Sequence, residues 1–191
     1  IPKDMDLGEG VTADEAKQFV ITNTHRYIPK FAAMKVGSKV SWNWLAFLVP
    51  SAWYLSRKMY SKGILSIILL VACALLSYPL AGSIVMPDSS SMMGMEAQSA
   101  LVQSVLDVGT PQLILAIIGF VLELGFKIFT GIFADLHYRN HTIDNVVEIK
   151  NNSENITDDM RKKGGVSFLG LLIGFFAVQY LPTIVAYLFN L

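Results

Sequence analysis

Three long apolar runs dominate the hydrophobic pattern of this chain. Residues 63–85 and 166–191 contain no charged residue, and residues 111–133 contain only Glu123 and Lys127. Each run is long enough for a helix to cross a hydrocarbon core, which takes about 20 apolar residues. The pattern therefore predicts an all-α integral membrane protein with three transmembrane helices.

The polar N-terminal segment, residues 1–40, predicts a leader and one short helix. Its first ten residues are expected to be loose. Thr12 and Glu15 have the spacing of a capping box, which predicts an amphipathic helix over 13–27. Pro29 should end this helix, because proline removes a backbone donor and clashes with the preceding turn.

Two further polar segments separate the predicted spans. Residues 86–110 form the first, in which apolar residues recur at helical spacing over 97–108. Residues 134–165 form the second, which is helical in character to about Lys150 and loop-like afterwards. The membrane domain is thereby predicted to cover residues 41–191.

Residues 41–60 are apolar and aromatic but contain a proline, Pro50. About 15 residues separate Trp42 from Ser56, roughly 22 Å of helix, whereas the hydrocarbon core is about 30 Å thick. This predicts a re-entrant or interfacial helical hairpin rather than a fourth crossing. Its aromatic residues are expected at the membrane–water interface, as is common for Trp and Tyr: Trp42, Trp44, Trp53 and Tyr54.

The basic residues alternate along the chain. Of the 15 Lys and Arg residues, six precede Trp42, three lie within 57–62 and five within 134–165, whereas 86–110 has none. Cytoplasmic segments of membrane proteins are rich in Lys and Arg. The N-terminus and the loop 134–165 are therefore predicted to be cytoplasmic, with the loop 86–110 and the C-terminus outside. The hairpin then has two cytoplasmic ends.

Composition narrows the class of protein further. The 191 residues are 53% hydrophobic and 16% charged, well below the charged fraction of soluble domains. Fifteen acidic residues balance the basic ones, so net charge favours no nucleic-acid partner. The single cysteine, Cys73, excludes a disulfide framework and a Cys-rich zinc site. No cofactor is expected.

Three stretches carry a family resemblance. They read RYIPKFAAM (26–34), VSWNWLAFLVPSAWYLSRKMYSKG (40–63) and GIFADLHYRNHTIDNV (131–146). In these stretches the chain resembles the bacterial membrane protein family called domain of unknown function 2628. The resemblance implies a helical protein of the bacterial cytoplasmic (inner) membrane. It implies no activity, because the family is assigned none.

Glu123 and Lys127 are the charged residues inside a predicted span. Four positions apart on a helix, they lie on one face and form a candidate intramembrane ion pair. Charged residues in a membrane are costly, which makes such a pair a candidate functional site. Lys127 snorkelling to the cytoplasmic interface while neutralising Glu123 would be a structural role, and Glu123 lining an ion path would be a functional one.

A polar face is predicted directly after residue 133. It combines Asp135, His137, Arg139 and His141, which would contact headgroups or the basic hairpin. His137 and His141 have the i, i+4 spacing of metal ligands, and Asp144 would extend that set, so a metal site is the alternative. Four methionines near the exterior loop leave open soft-metal capture or packing of an interfacial helix: Met86, Met92, Met93 and Met95.

Gly170 and Gly174 form a small-residue face in the last span, suited to close helix packing. Its partner is expected to be the helix at 111–133, near Gly119, or a second copy of the chain. Together the patterns favour a non-enzymatic interaction, sensory or regulatory membrane subunit, with membrane lipids and a homo-oligomer or other membrane proteins as partners. The alternative is a small oligomeric transporter or channel using Glu123, and a lipid-handling enzyme using His137 and Asp135 at the membrane surface comes third.

Overall fold

The computed structural model describes residues 1–83 and 95–189, and the chain is mostly helical within them. Two short strands pair antiparallel, β1 (Asp6–Gly8) and β2 (Val11–Thr12). The helices are α1 (Ala13–Val20), α2 (Thr24–Lys35), α3 (Trp44–Leu48), α4 (Pro50–Ser56), α5 (Tyr60–Leu76), α6 (Tyr78–Ser83), α7 (Met95–Leu106), α8 (Thr110–Asn152), α9 (Ile156–Lys163) and α10 (Phe168–Phe189).

Three helical stretches are long and apolar enough to cross a membrane. Within the described residues they are Tyr60–Leu80, Thr110–Asn152 and Ile156–Phe189. The predicted all-α class with three such helices is therefore confirmed. The predicted helical spacing at 97–108 corresponds to α7. Residues 84–94 and 190–191 lie outside the described residues, so the predictions for Met86, Met92 and Met93 lie outside them too.

Residues 1–67 and 126–177 form one compact unit. Its core joins the N-terminal segment to the polar half of α8, with Leu7, Phe19, Tyr138 and Val146 all buried. The expectation that the first ten residues are loose is wrong. β1 pairs with β2, and Leu7 is fully buried because it contributes to this core.

The N-terminal helical region is two helices rather than the single one predicted over 13–27. The predicted capping box is present, because the Thr12 side chain and the Glu15 side chain each accept from the other's backbone N–H. The break falls at Ile21 and Asn23, both with positive φ. Pro29 does not end a helix but lies within α2. Proline has no N–H to donate to the carbonyl of His25 four positions earlier, and His25 is an exposed residue.

The segment after α8 is more ordered than predicted. α8 runs to Asn152, and the stretch after about Lys150 that is predicted to be a loop contains α9. Asn155 caps α9, because its side chain accepts from the backbone N–H of Asp158. Gly164 follows, and a side chain there would overlap the backbone of Phe19. The backbone N–H of Gly165 also donates to the Phe19 carbonyl, 2.8 Å away, so α9 is held against α1.

The region predicted as a hairpin consists of α3 and α4, separated at Val49 with Pro50 in the first turn of α4. The interfacial position expected for Trp53 and Tyr54 stays a prediction. Both are almost fully buried, since every residue of α4 packs inside the unit. Trp44, by contrast, is 65% exposed.

Residues 68–125 and 178–191 form the second unit, described here for 68–83, 95–125 and 178–189. Gly119 of α8 lies so close to α5 that an added Cβ would be 2.6 Å from the Cys73 carbonyl. Large apolar side chains are exposed on its surface, including Ile117, Phe120 and Val121. Such a surface is expected of helices that face lipid.

Candidate functional site

A buried carboxylate joins the three stretches that carry the family resemblance. Asp135 of α8 is fully buried and pairs with the ammonium group of Lys30 from α2. Ser41 Oγ and Asn43 Nδ2 also donate to it, each at 2.6 Å. We call these four residues the Asp135 cluster. Three donors compensate one buried charge, as such a charge requires.

The local sequence explains how the cluster is assembled. Asn43 caps α3, because its Oδ1 accepts from the backbone N–H of Ala46 at 3.2 Å. The backbone N–H groups of Ser41 and Asn43 donate to the carbonyls of Ile132 and Gly131 on α8. Gly131 permits this approach, since a Cβ there would lie 3.2 Å from the Trp42 ring. The cluster thus fastens the start of the hairpin to α8.

An arginine sandwiched between two tyrosines lies next along α8. The Arg57 guanidinium is 4.7 Å from the ring centroid of Tyr27 and 5.0 Å from that of Tyr138. It donates to the Tyr27 hydroxyl at 3.1 Å and to Thr22 Oγ1 at 3.1 Å. Burial raises the pKa of Tyr138 to about 12. Tyr138 therefore stays neutral near pH 7, and its ring contributes a cation–π contact.

A cavity of about 390 Å³ lies beside these contacts, and we call it the basic pocket. The segment 58–62 forms one wall, with Lys58 and Lys62. α8 forms the other wall with His137, Asn140, His141 and Asp144. Lys58 Nζ donates to the Lys162 carbonyl at 2.7 Å, and burial lowers its pKa. The Lys62 ammonium makes no hydrogen bond or ion pair with a described residue.

The two histidines of the basic pocket are held differently. His137 Nδ1 and the Tyr54 hydroxyl are hydrogen-bonded, 2.8 Å apart. Burial lowers the pKa of His137, and Lys62 adds to this effect. Burial also lowers the pKa of His141, while Asp144 opposes the shift. Both rings are therefore favoured in the neutral form near pH 7.

His141 presents an unused hydrogen-bond donor. Asn145 Nδ2 lies 3.2 Å from His141 Nδ1 and can only donate, so Nδ1 accepts and the neutral ring carries its proton on Nε2. That buried Nε2 has no hydrogen-bond partner among the described residues. An unpaired buried donor is costly to the fold.

The predicted polar face is divided between two environments. His137 and His141 meet in the basic pocket, whereas Asp135 belongs to its own cluster and Arg139 donates to the Leu7 carbonyl at 2.5 Å. In the part of the chain that the structure describes, no group of three His, Cys, Asp or Glu side chains could hold a metal ion. His137, His141 and Asp144 therefore do not form the alternative metal site.

Glu123 and Lys127 both lie within α8, which is uninterrupted between them. Their ion pair stays a prediction.

The small-residue face of α10 packs on α4 rather than on 111–133. A Cβ on Gly174 would lie 2.6 Å from backbone atoms of Ala52, and one on Gly170 would overlap the Leu55 carbonyl. Ser51 Oγ also donates to the Gly174 carbonyl at 2.7 Å.

Sequence reasoning missed the side chains from outside α8 that complete these sites. They are Lys30, Ser41, Asn43, Arg57, Lys58 and Lys62. Their signal was membership of the stretches 26–34 and 40–63, which carry the family resemblance but do not indicate which partner each residue contacts.

These features define a helical membrane protein whose polar side chains gather where its apolar helices end. The chain belongs to the family described as Protein of unknown function (DUF2628), whose model matches residues 12–143. The match includes every residue of the Asp135 cluster and all of the basic pocket except Asp144. No curated protein and no solved structure matches the chain.

Proposed function

We propose that this protein is a non-enzymatic sensory or regulatory subunit of the bacterial cytoplasmic membrane, which binds an anionic ligand in its basic pocket. The unit formed by 1–67 and 126–177 would be its binding part. Asp135 and Arg57 are buried and engaged in contacts that hold the fold, which supports a structural rather than a catalytic role for both. Binding of the anionic ligand would then change how this unit contacts a partner protein or a second copy of the chain.

The packing of this unit supports the proposed orientation. Residues 1–40 and 134–165 contact each other at Leu7 with Arg139 and at Phe19 with Gly165. Segments in contact outside the hydrocarbon core must lie on the same side of the membrane. Eleven of the 15 Lys and Arg residues belong to these two segments, so the positive-inside rule favours the cytoplasm for both.

The hairpin contacts support a dip from that same side. The Ser41 N–H donates to the carbonyl of Ile132, which lies near the end of the predicted span 111–133. At the other end of the hairpin, the Ser56 carbonyl accepts from the N–H of Ser167, which directly precedes α10. Both ends of the hairpin therefore adjoin the cytoplasmic ends of spans. The hairpin contacts α10 at Gly174, about 9 Å along the helix from Phe168 at 1.5 Å per residue.

The basic pocket is the observation that carries the proposed function. Two lysines and two histidines line one cavity, and the Lys62 ammonium makes no hydrogen bond or ion pair with a described residue. All of these groups donate hydrogen bonds, and both lysines are cations. An anion with several acceptor oxygens matches this arrangement.

Thermal unfolding of the full chain in an uncharged detergent tests the proposal. Inorganic phosphate and phosphatidylglycerol would be titrated separately at constant ionic strength. A ligand at 100 times its Kd stabilises by about 2.7 kcal/mol, which for a chain of this size raises the midpoint by about 5–10 °C. We expect a saturable rise with at least one probe.

Two lysine variants make the test specific. Lys62→Gln should abolish most of the rise, whereas Lys39→Gln, which removes an equal charge from an exposed residue outside the pocket, should keep it. A wild-type protein that responds to neither probe, or variants that respond alike, would contradict the proposed function.

A further inference from the structure

The basic pocket adjoins a second cavity of different chemistry, about 240 Å³ in volume. We call it the apolar groove. It shares Lys62 and His137 with the basic pocket, so the two cavities meet at these side chains. The remaining lining residues are mostly apolar or aromatic: Tyr54, Leu65, Ser66, Phe126, Phe129 and Thr130.

We propose that the pocket and the groove together bind one anionic phospholipid, its phosphate in the basic pocket and an acyl chain along the apolar groove. This rests on the proposed function and specifies its ligand. The headgroup and the acyl chain of a phospholipid are covalently joined, and the site offers a cationic cavity and an apolar cavity that are adjacent at Lys62 and His137. Basic pockets between membrane helices on the cytoplasmic side suit anionic headgroups.

The charge of the pocket fits a phosphate diester. Lys58 and Lys62 supply two positive charges, Asp144 supplies one negative charge, and both histidines are favoured as neutral. The resulting charge of about +1 matches the single negative charge of a diester. A free phosphate or phosphomonoester carries about −1.5 to −2 and is matched less well.

The hydrogen-bond donors also fit this group. The Lys62 ammonium has no ion pair among described residues, and His141 Nε2 has no acceptor there. The non-bridging oxygens of a phosphate would supply an acceptor for the Lys62 ammonium, which lines the pocket. Asn140, which lines the same cavity, adds an amide.

The residues that line the basic pocket lie near the ends of predicted spans, and most of those that line the apolar groove lie within them. Lys58 and Lys62 directly precede the predicted span 63–85, and His137 follows the predicted span 111–133. Lipid phosphates lie at this boundary. Leu65 and Phe129 lie inside those spans and are 54% and 48% exposed, so their free surfaces are available to an acyl chain.

Native mass spectrometry of the full chain in uncharged detergent provides the test. Phosphatidylglycerol, phosphatidylcholine and inorganic phosphate would be titrated one at a time, and the Kd of the first bound molecule measured. We expect phosphatidylglycerol to bind at least about fivefold more tightly than zwitterionic phosphatidylcholine, the effect of about one lysine at an anionic surface.

Matched variants separate the two halves of the site. Lys62→Gln should weaken phosphatidylglycerol binding about fivefold, and Lys39→Gln should not. Leu65→Ala should weaken it about threefold through lost apolar contact. Ile64→Ala is its control, because Ile64 is equally exposed at 54% but does not line the groove.

The remaining outcomes overturn the lipid assignment in distinguishable ways. Inorganic phosphate binding as tightly as phosphatidylglycerol, with Leu65→Ala unchanged, would identify a free-anion site and leave the proposed function standing. Phosphatidylglycerol binding unaffected by Lys62→Gln would identify lipid spread over the helix surface instead. No binding of either anion would refute the lipid assignment and the proposed function together.

Discussion

At the scale of single residues, Asp135 shows how a charge can be buried at acceptable cost. Its carboxylate has no exposure and receives donors from three separate chain positions. Removing one partner of a buried ion pair strands the other charge. Lys30, whose side chain is 26% exposed, can turn toward water more readily than Asp135 can.

We expect Lys30→Met to lower the free energy of unfolding by about 3–5 kcal/mol, because it leaves the buried carboxylate without its cation. Asp135→Asn should cost less, and the double variant should recover part of the loss. Thermal and denaturant unfolding in detergent would measure these changes. Glu148→Gln breaks the Glu148–Lys163 pair, which is about half exposed, and as a control should cost at most about 1 kcal/mol. Equal losses for the buried and exposed pairs would refute this account of Asp135.

At the scale of elements, the contact between α4 and α10 determines where the hairpin lies. Two glycines of α10 let the backbones approach until Ser51 Oγ reaches the Gly174 carbonyl. The same segment is anchored at its other end by the Ser56 carbonyl, which accepts from the Ser167 N–H at 2.8 Å. Small residues at such contacts are typical of membrane helices, where close packing replaces the hydrophobic effect.

Gly174→Ala should destabilise the monomer by about 1–3 kcal/mol, since the added methyl group meets backbone atoms of α4 that cannot move aside. Gly125→Ala is the matched control, because nothing lies within 4 Å of a Cβ at that glycine of α8. Alanine favours a helix over glycine, so the control should be neutral or stabilising. Unfolding of both variants in detergent would be compared. A loss of cross-linked dimer in Gly174→Ala, with unchanged monomer stability, would instead indicate contact between copies.

At the scale of the whole molecule, the central expectation is that the chain crosses the membrane three times. The apolar lengths of Tyr60–Leu80, Thr110–Asn152 and Ile156–Phe189 support three crossings. The hairpin must then begin and end on one side. Its two flanks are available for labelling, because Lys39 and Ser61 are both exposed.

Single cysteines at Lys39 and Ser61, in a Cys73→Ser background, should both be protected from an impermeant thiol reagent added to intact cells. A cysteine at Ser90, outside the described residues, should react. Labelling after permeabilisation would verify that the protected positions are accessible from the other side. Reaction at position 39 but not at position 61 would mean that α3 and α4 together cross the membrane.

The sequence by itself determined the features that depend on neighbouring residues. Apolar length predicted the three membrane-crossing helices, and the spacing of Thr12 and Glu15 predicted the start of α1. Pro50 marked the break between α3 and α4. Each of these follows from residues within one helix or turn, where period and backbone chemistry decide the outcome.

Only the tertiary structure decided which distant residues meet. Lys30 and Asp135 are 105 positions apart, and Ser51 and Gly174 are 123 apart. No local pattern specifies such pairings. The same long-range packing buries Leu7, Trp53 and Tyr54, because core positions are offered by elements remote in sequence. The basic pocket likewise exists only because the folded chain brings the segment 58–62 against α8.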